Sequence, residues 1–228
     1  MRYSIVLWPI FSAALLSGCG PAKPPAPTAA EITAPAGTYT LDPYHASLVF
    51  RADHLGFSFY TGSFATFDAM LTFDPASVES MAVIASIDVA SLVIPTPPPG
   101  FRDTMLGPAW FNAAAHPEII FESTAVTQTG PRTARVDGVM RFLGAAAPLS
   151  FDAEFVGGYA GFPPYDPQAR IGFTASGVLN RSDFGLTEGL PPEGSTMGVA
   201  DEISFRIDAE FLGPPAPETA PEPVSDGQ

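Results

Sequence analysis

Apolar and polar residues alternate with a period of two through most of the chain. Residues 203–211 place Ile203, Phe205, Ile207, Ala209 and Phe211 on one face, and Ser204, Arg206, Asp208 and Glu210 on the other. Residues 149–155 repeat the pattern, with Leu149, Phe151, Ala153 and Phe155 against Ser150, Asp152 and Glu154. Residues 169–179 align Ile171, Phe173, Ala175 and Leu179, and residues 67–73 align Phe67, Ala69, Leu71 and Phe73. Weaker versions run through 46–54, 79–92, 118–127 and 133–142. Successive side chains of a strand point to opposite faces, so strict alternation marks strands with one wet and one buried side. Eight strands are predicted.

The links are short and carry turn residues: Asp74-Pro75, Gly130-Pro131 and Leu143-Gly144 fall between consecutive runs. Short links make sequence neighbours antiparallel, which gives a meander. A meander of eight long strands removes its open edges by closing into a barrel. The fold class is therefore all-β, an eight-stranded antiparallel up-and-down barrel. One stretch breaks the period, residues 100–117 between strands 3 and 4. It is too apolar for a plain loop and predicts a short helix covering part of the barrel. The inner positions are Phe, Leu, Ile, Val, Met and Ala without a charge, and the chain holds 18 phenylalanines. An eight-stranded barrel is either filled by side chains or holds one small ligand, and periodicity leaves both open.

The ends of the chain read differently. Residues 1–18 carry Arg2, an apolar run from Tyr3 to Leu16 and then Leu16-Ser17-Gly18 before Cys19. The run is short for a membrane span, which needs about 20 residues, and its small-residue end marks a signal peptide. Leu-Ser-Gly-Cys resembles a bacterial lipobox, and Cys19 is the one cysteine in the sequence. Lipidation there predicts a protein anchored to a membrane without spanning it. It also leaves no thiol for disulfides, redox work or nucleophilic catalysis. Residues 19–36 are Pro- and Ala-rich and suit an extended tether. Residues 37–213 form the barrel domain, and residues 214–228 an acidic, Pro-rich, disordered tail. Cleavage removes Arg2 from the 10 basic residues and leaves 9 against 24 acidic ones, a net of −15. Such a surface repels phosphate backbones, which excludes nucleic acid as a partner. It also repels anionic lipid heads, so membrane attachment falls to the acyl anchor.

Several segments together resemble the YceI-like family. They are residues 42–75 (DPYHASLVFRADHLGFSFYTGSFATFDAMLTFDP), 101–123 (FRDTMLGPAWFNAAAHPEIIFES), 136–151 (VDGVMRFLGAAAPLSF), 179–186 (LNRSDFGL) and 199–211 (VADEISFRIDAEF). They occur in the family's order and span nearly all of 37–213. The resemblance implies a lipocalin-like barrel in the periplasm that binds polyisoprenoid chains, such as those of quinones, and it implies no enzyme activity. The family usually has His at Met105, Tyr at His116 and Ser at Ala46, so a function resting on the first of these histidines is not expected here. Gly20, where inner-membrane lipoproteins typically carry Asp, favours the outer membrane.

The wall expected to bind the chain comprises Phe50, Phe67, Leu71, Phe73, Phe121, Phe142, Phe151, Phe173 and Phe205, all at inner parities. Trp110 and Phe111, in the helical break, are either core plugs or the lip of the entrance. On one unbroken strand, nine steps put His45 and His54 roughly 30 Å apart on opposite faces. A shared metal site is therefore not expected. His45 is expected in a local hydrogen-bond network, His116 in a structural role, and His54 at the inner end of its strand, where it could meet a head group. Arg181 and Asp183 are expected to pair and close a loop over the barrel end. No Gly-rich phosphate loop, H-x-x-x-H pair or G-x-S-x-G elbow occurs. No cofactor is expected beyond a bound isoprenoid lipid or quinone, and a homodimer stays open alongside a monomer. An enzyme acting on such a lipid and a ligand-free scaffold barrel are the rival readings. Replacement of Cys19 by Ala is expected to move the protein from the membrane to the soluble fraction. A variant that still sediments with membranes after a salt wash would rule out the acyl anchor.

Overall fold

The structure, a computed structural model, describes residues 33–216. The predicted signal peptide, Cys19, most of the tether and the tail beyond residue 216 lie outside the described residues. The strands are β1 (Gly37–His54), β2 (Ser58–Phe64), β3 (Phe67–Phe73), β4 (Ala82–Asp88), β5 (Leu92–Val93), β6 (Glu118–Gln128), β7 (Thr133–Phe142), β8 (Ala145–Tyr159), β9 (Gln168–Asn180) and β10 (Val199–Pro215). One α-helix, α1 (Phe101–Leu106), lies between β5 and β6.

These ten segments make eight staves. β1 pairs with β3 through Gly37–Thr40 and with β2 through Leu48–His54, so β2 and β3 are one bent stave running back along β1. In the same way β4 pairs with β3, and β5 extends the pairing onto β2. The circuit continues through β6, β7, β8, β9 and β10, each antiparallel to the one before. It closes where β10 pairs with the other edge of β1, from Thr40 opposite Leu212 to His54 opposite Val199. The closed meander is the one that the alternation predicts, with the helix in the expected gap. Both ends of the barrel domain also involve flanking residues. Ala34 is buried, the Tyr39 hydroxyl donates to the Pro35 carbonyl at 2.7 Å, and Ala216 N–H donates to the Pro167 carbonyl.

Two stretches differ from the expected strands. β1 begins nine residues earlier than the alternation indicates, because a bulge between Leu41 and Ala46 shifts its register and breaks the period. β2 was not among the eight predicted runs. Its inward positions are Tyr60, Gly62 and Phe64, and a glycine in the middle of so short a run erases the apolar signal. The glycine is required there: a Cβ on Gly62 would stand 2.4 Å from Cζ of Phe50 on the facing stave.

The bulge is held by charge. Asp42 is buried, and its Oδ2 accepts from Arg170 Nη1 of β9 at 2.7 Å and pairs with His45 Nδ1 at 2.8 Å. Its Oδ1 accepts the Tyr44 N–H at 3.0 Å, which closes the Asp42-Pro43 turn. Arg170 Nη1 also donates to Glu210 of β10 at 2.8 Å. One guanidinium thus ties β1, β9 and β10 together at the seam where the barrel closes. Burial works to raise the Asp42 carboxyl, but the hydrogen bonds from His45, Arg170 and the Tyr44 N–H outweigh it and bring the pKa down to about 2.

A carboxylate depressed in the folded state stabilises fully above its unfolded pKa and ceases to do so as pH falls through its folded one. Asp42→Asn is expected to cost about 2–3 kcal/mol at neutral pH, as for a broken, mostly buried charged hydrogen bond. The gap between wild type and variant should shrink as pH falls from about 4 to about 2. Urea unfolding across that range measures it, and a gap independent of pH would rule out the ionised Asp42 as its source.

Candidate functional site

The staves enclose an apolar cavity of about 440 Å³, within the range of roughly 300–1,000 Å³ typical of small-molecule sites. Inward parity places its wall. Leu48, Phe50, Ala52 and His54 come from β1, Tyr60 and Phe64 from β2, and Phe67, Ala69 and Leu71 from β3. Phe121, Phe142, Phe151, Phe173 and Phe205 add a ring from each of β6 to β10. Trp110 and Phe111 line the cavity from the segment after α1.

Phe73 is the exception among the expected wall residues. Parity fixes the face of a stave but not its depth, and Phe73 lies at the end of β3 beyond the cavity floor. It packs edge-on against Tyr39 at 5.5 Å and stacks on Phe155 at 6.0 Å, and Phe155 meets Phe173 at 5.4 Å. With Ile171 these rings form a separate packed cluster that plugs one end of the barrel. Phe73 is part of the plug and does not face the cavity.

The wall stays thin because several rings lie over glycines. Gly62 faces Phe50, and Gly177 of β9 is the register partner of both Phe151 and Phe205. A Cβ on Gly177 would fall 2.8 Å from Cβ of Phe151 and 2.8 Å from Cζ of Phe205. Gly138 of β7 leaves the same room for Phe121. Each ring lies against backbone where a neighbouring side chain would otherwise push it inward.

The opposite end from the plug is covered by α1 and the residues that follow. Arg102 pins the helix by donating through Nε to the Leu92 carbonyl at 2.8 Å and through Nη2 to the Ala90 carbonyl. Phe101 and Met105 then face the cavity. The ring of Phe101 meets Tyr60 edge-on at 5.8 Å. Phe111 is buried between Phe64 and Phe142, at 5.9 and 5.8 Å, and so acts as core, whereas Trp110 is half-buried over Arg181. His54 lines the cavity while remaining exposed, so it sits at the rim.

Arg181 departs from the expected Arg-Asp pair. It is 4% exposed and donates to backbone carbonyls: Nε to Ala200 at 3.0 Å, Nη1 to Leu186 and Glu188 at 3.1 and 2.7 Å, and Nη2 to Val199 at 2.9 Å. Burial pulls its pKa down, against the nearby charges of Asp201 and Glu188. Asp183 takes no part. The carboxylate that holds the loop is Asp201, accepting from the backbone N–H and hydroxyl of Ser182 at 2.8 and 2.6 Å. The guanidinium therefore locks residues 186–200 over the barrel end, with four of its five N–H groups donated to backbone carbonyls.

The three histidines do not converge. His45 is exposed in the bulge on the outer side, His54 is at the rim, and His116 lies half-buried beside Gly144. Asp42, His45 and Glu210 each bring a ligand atom within 4.8 Å of the others. Arg170 Nη1 already bridges the two carboxylates, so this cluster is built as an ion pair and not as a cation cage.

A closed meander around one carbon-walled cavity, plugged at one end and rimmed at the other, defines a lipocalin-like barrel. The YceI-like domain model matches residues 39–211, and the chain belongs to that family. A UPF0312 protein of Vibrio cholerae is 33% identical over 167 residues, covering 73% of this chain and 81% of that protein. Burkholderia cenocepacia BcnA has the same fold, with a TM-score of 0.63 at 23% identity over 75% of this chain and 98% of BcnA. A polyisoprenoid binding domain from Saccharophagus degradans aligns with a TM-score of 0.56 at 9% identity, over 78% of this chain and 99% of that domain. At those identities the two structures speak for the fold alone.

The glycines make a test of the wall. In Gly62→Ala the new methyl meets the far end of the Phe50 ring, which can swing into the cavity. The variant is expected to fold with near-wild-type stability and a smaller cavity. In Gly177→Ala the methyl meets Cβ of Phe151, which is fixed to backbone, and about 1–3 kcal/mol of stability should be lost. Denaturant unfolding distinguishes the two, and equal losses would mean that the rings have no room to move.

Proposed function

We propose that the protein is a binding protein that takes an extended polyisoprenoid, or the isoprenoid tail of a quinone-like lipid, lengthwise into its barrel. The observation that carries this reading is the cavity itself, whose lining residues include no carboxylate and whose wall is almost wholly carbon. From His54 to Leu48 the lining follows β1 for six residues, roughly 20 Å, and continues to Leu41. A narrow, long, apolar space fits a chain better than a compact ring system. Each methylene buried from water gains roughly 0.8 kcal/mol before the cost of ordering the chain is subtracted. Affinity can then arise with few polar contacts. Family membership and the fold shared with a polyisoprenoid binding domain support the same reading.

The residues that line the wall include no nucleophile with an adjacent base, and its one arginine gives four of its five N–H groups to carbonyls. These features favour binding over catalysis on the lipid. The lipobox-like sequence at Cys19 supports an acyl anchor that holds the barrel in the periplasm, with Gly20 favouring the outer membrane.

Native mass spectrometry of protein isolated from bacterial membranes is expected to show one lipid per barrel. Leu71→Asn and Phe151→Asn place an amide in the carbon wall, a poorly satisfied group costing ~1–3 kcal/mol, and are expected to lower lipid retention while the barrel still folds. Thr72→Asn, on the outer face of β3, should change neither. Absence of lipid from wild type, together with unfolding of both inner variants, would make the interior an ordinary packed core and the barrel a scaffold.

A further inference from the structure

Three large apolar side chains stand in water around the open end of the cavity. Phe57 is 78% exposed, Met197 60% and Phe59 56%. The backbone fixes their place. His54 and Val199 both line the cavity and pair across the β1–β10 ladder. The Phe57 N–H donates to the His54 carbonyl at 3.0 Å and closes the β1–β2 hairpin at the rim. The Leu55 N–H donates to the Gly198 carbonyl at 2.9 Å, which brings Met197 to the same turn. Phe59 follows on the outer face of β2, with the Arg51 guanidinium 4.4 Å from its ring centroid. The turn works against backbone preference. Leu55 and Gly56 have φ of 63° and 73°, the left-handed pair that a two-residue hairpin turn requires, and Asn or Asp before Gly suits it best. Leucine there is strained, and it puts carbon where a polar residue folds more easily.

We infer that this apolar rim is a docking surface for a lipid bilayer, into which Phe57 and Met197 insert so that an isoprenoid chain passes between membrane and cavity without crossing water. The inference rests on the reading of the cavity as a chain-binding site and adds the surface from which the ligand arrives. Each methylene exposed in transit raises the barrier to transfer, so the mouth of the cavity is where contact with lipid shortens the route. Exposed rings and thioethers bury readily at the boundary between head groups and acyl chains. Attraction here is apolar, because the protein carries 24 acidic against 10 basic residues and Arg51 is turned onto Phe59. Exposure alone does not single out the rim. Phe162 and Tyr165 also stack in solvent, but they are tied through Asp166 to Arg170 at the plugged end. They supply the control.

The test uses the full-length protein with Cys19→Ala, the substitution expected to make it soluble, as parent. One variant adds Phe57→Ser and Met197→Ser, and a control adds Phe162→Ser instead. Each, stripped of lipid, is mixed with phosphatidylcholine vesicles containing geranylgeraniol. Vesicles are removed at intervals, and native mass spectrometry counts the loaded barrels. The parent's initial rate should rise in proportion to vesicle concentration, as transfer by contact requires. The double variant should load about tenfold more slowly, the worth of one large apolar side chain removed from water, and reach the same final loading. Phe162→Ser should load like the parent. A parent rate independent of vesicle concentration means that the ligand crosses water; it overturns the docking surface and leaves the rim to a protein partner. That measurement does not rely on the variants folding. Equal rates for parent and double variant, or equal slowing by Phe162→Ser, overturn it as well. All of these outcomes leave chain binding standing, since final loading reports the cavity by itself. Absence of loading in the parent overturns the chain-binding reading and this inference with it.

Discussion

An eight-stave barrel has an interior that its own side chains can fill, and everything else here depends on how that filling is avoided. Aromatic rings enter from nearly every stave. If each pointed straight inward from a full wall they would meet at the axis and make a solid core. Phe50 instead lies over Gly62, and Phe151 and Phe205 share the gap at Gly177. Rings laid against bare backbone give a smooth carbon surface with space at its centre. The arrangement forgoes dispersion contacts across the axis, and a bound apolar chain would restore them.

A hollow barrel needs its ends and its seam fixed by other means, and the charged residues supply them. At the plugged end Arg170 holds Asp42 of β1 and Glu210 of β10 with one nitrogen. At the rim Arg181 gathers carbonyls from both sides of the long connection before β10. The two arginines differ in what they answer to. Arg170 is held by carboxylates and so its clamp responds to acid. Arg181 is held by neutral carbonyls, and its hold does not depend on the titration of a carboxylate partner.

Much of this is legible in the sequence because a strand writes its two faces in alternate letters. β10 and β9 read directly, and the inner phenylalanines of five staves from β6 to β10 follow from parity alone. What parity does not encode is depth, glycine and distance. Phe73 has the right face but lies below the floor. Gly62 hides β2 by removing an apolar letter where a ring from β1 takes its place. The partners of Arg181 are main-chain oxygens, which no side-chain pattern records, so the adjacent Asp183 looks like its natural partner when Asp201 is the carboxylate that serves the loop. Besides a local pair with Asp166, the ion pairs of Arg170 join residues 128 and 40 positions away. No local motif announces the two distant ones.

The division of labour inside the cavity follows from the same chemistry. A carbon wall is indifferent to what an apolar chain carries at its end, so it supplies affinity without selection. Selection needs a polar atom that is desolvated whether or not the ligand is present, because such an atom penalises the ligand that fails to meet it. Arg181 is poorly suited to this, since the backbone already holds four of its five N–H groups. His54 cannot do it strongly, since water reaches it at the rim. Tyr60 gives the wall its ring, and its hydroxyl, with almost no accessible surface, is packed away from the open space. The wall thus presents carbon along its length, and the polar side chains that border it are held by backbone or stand at the rim.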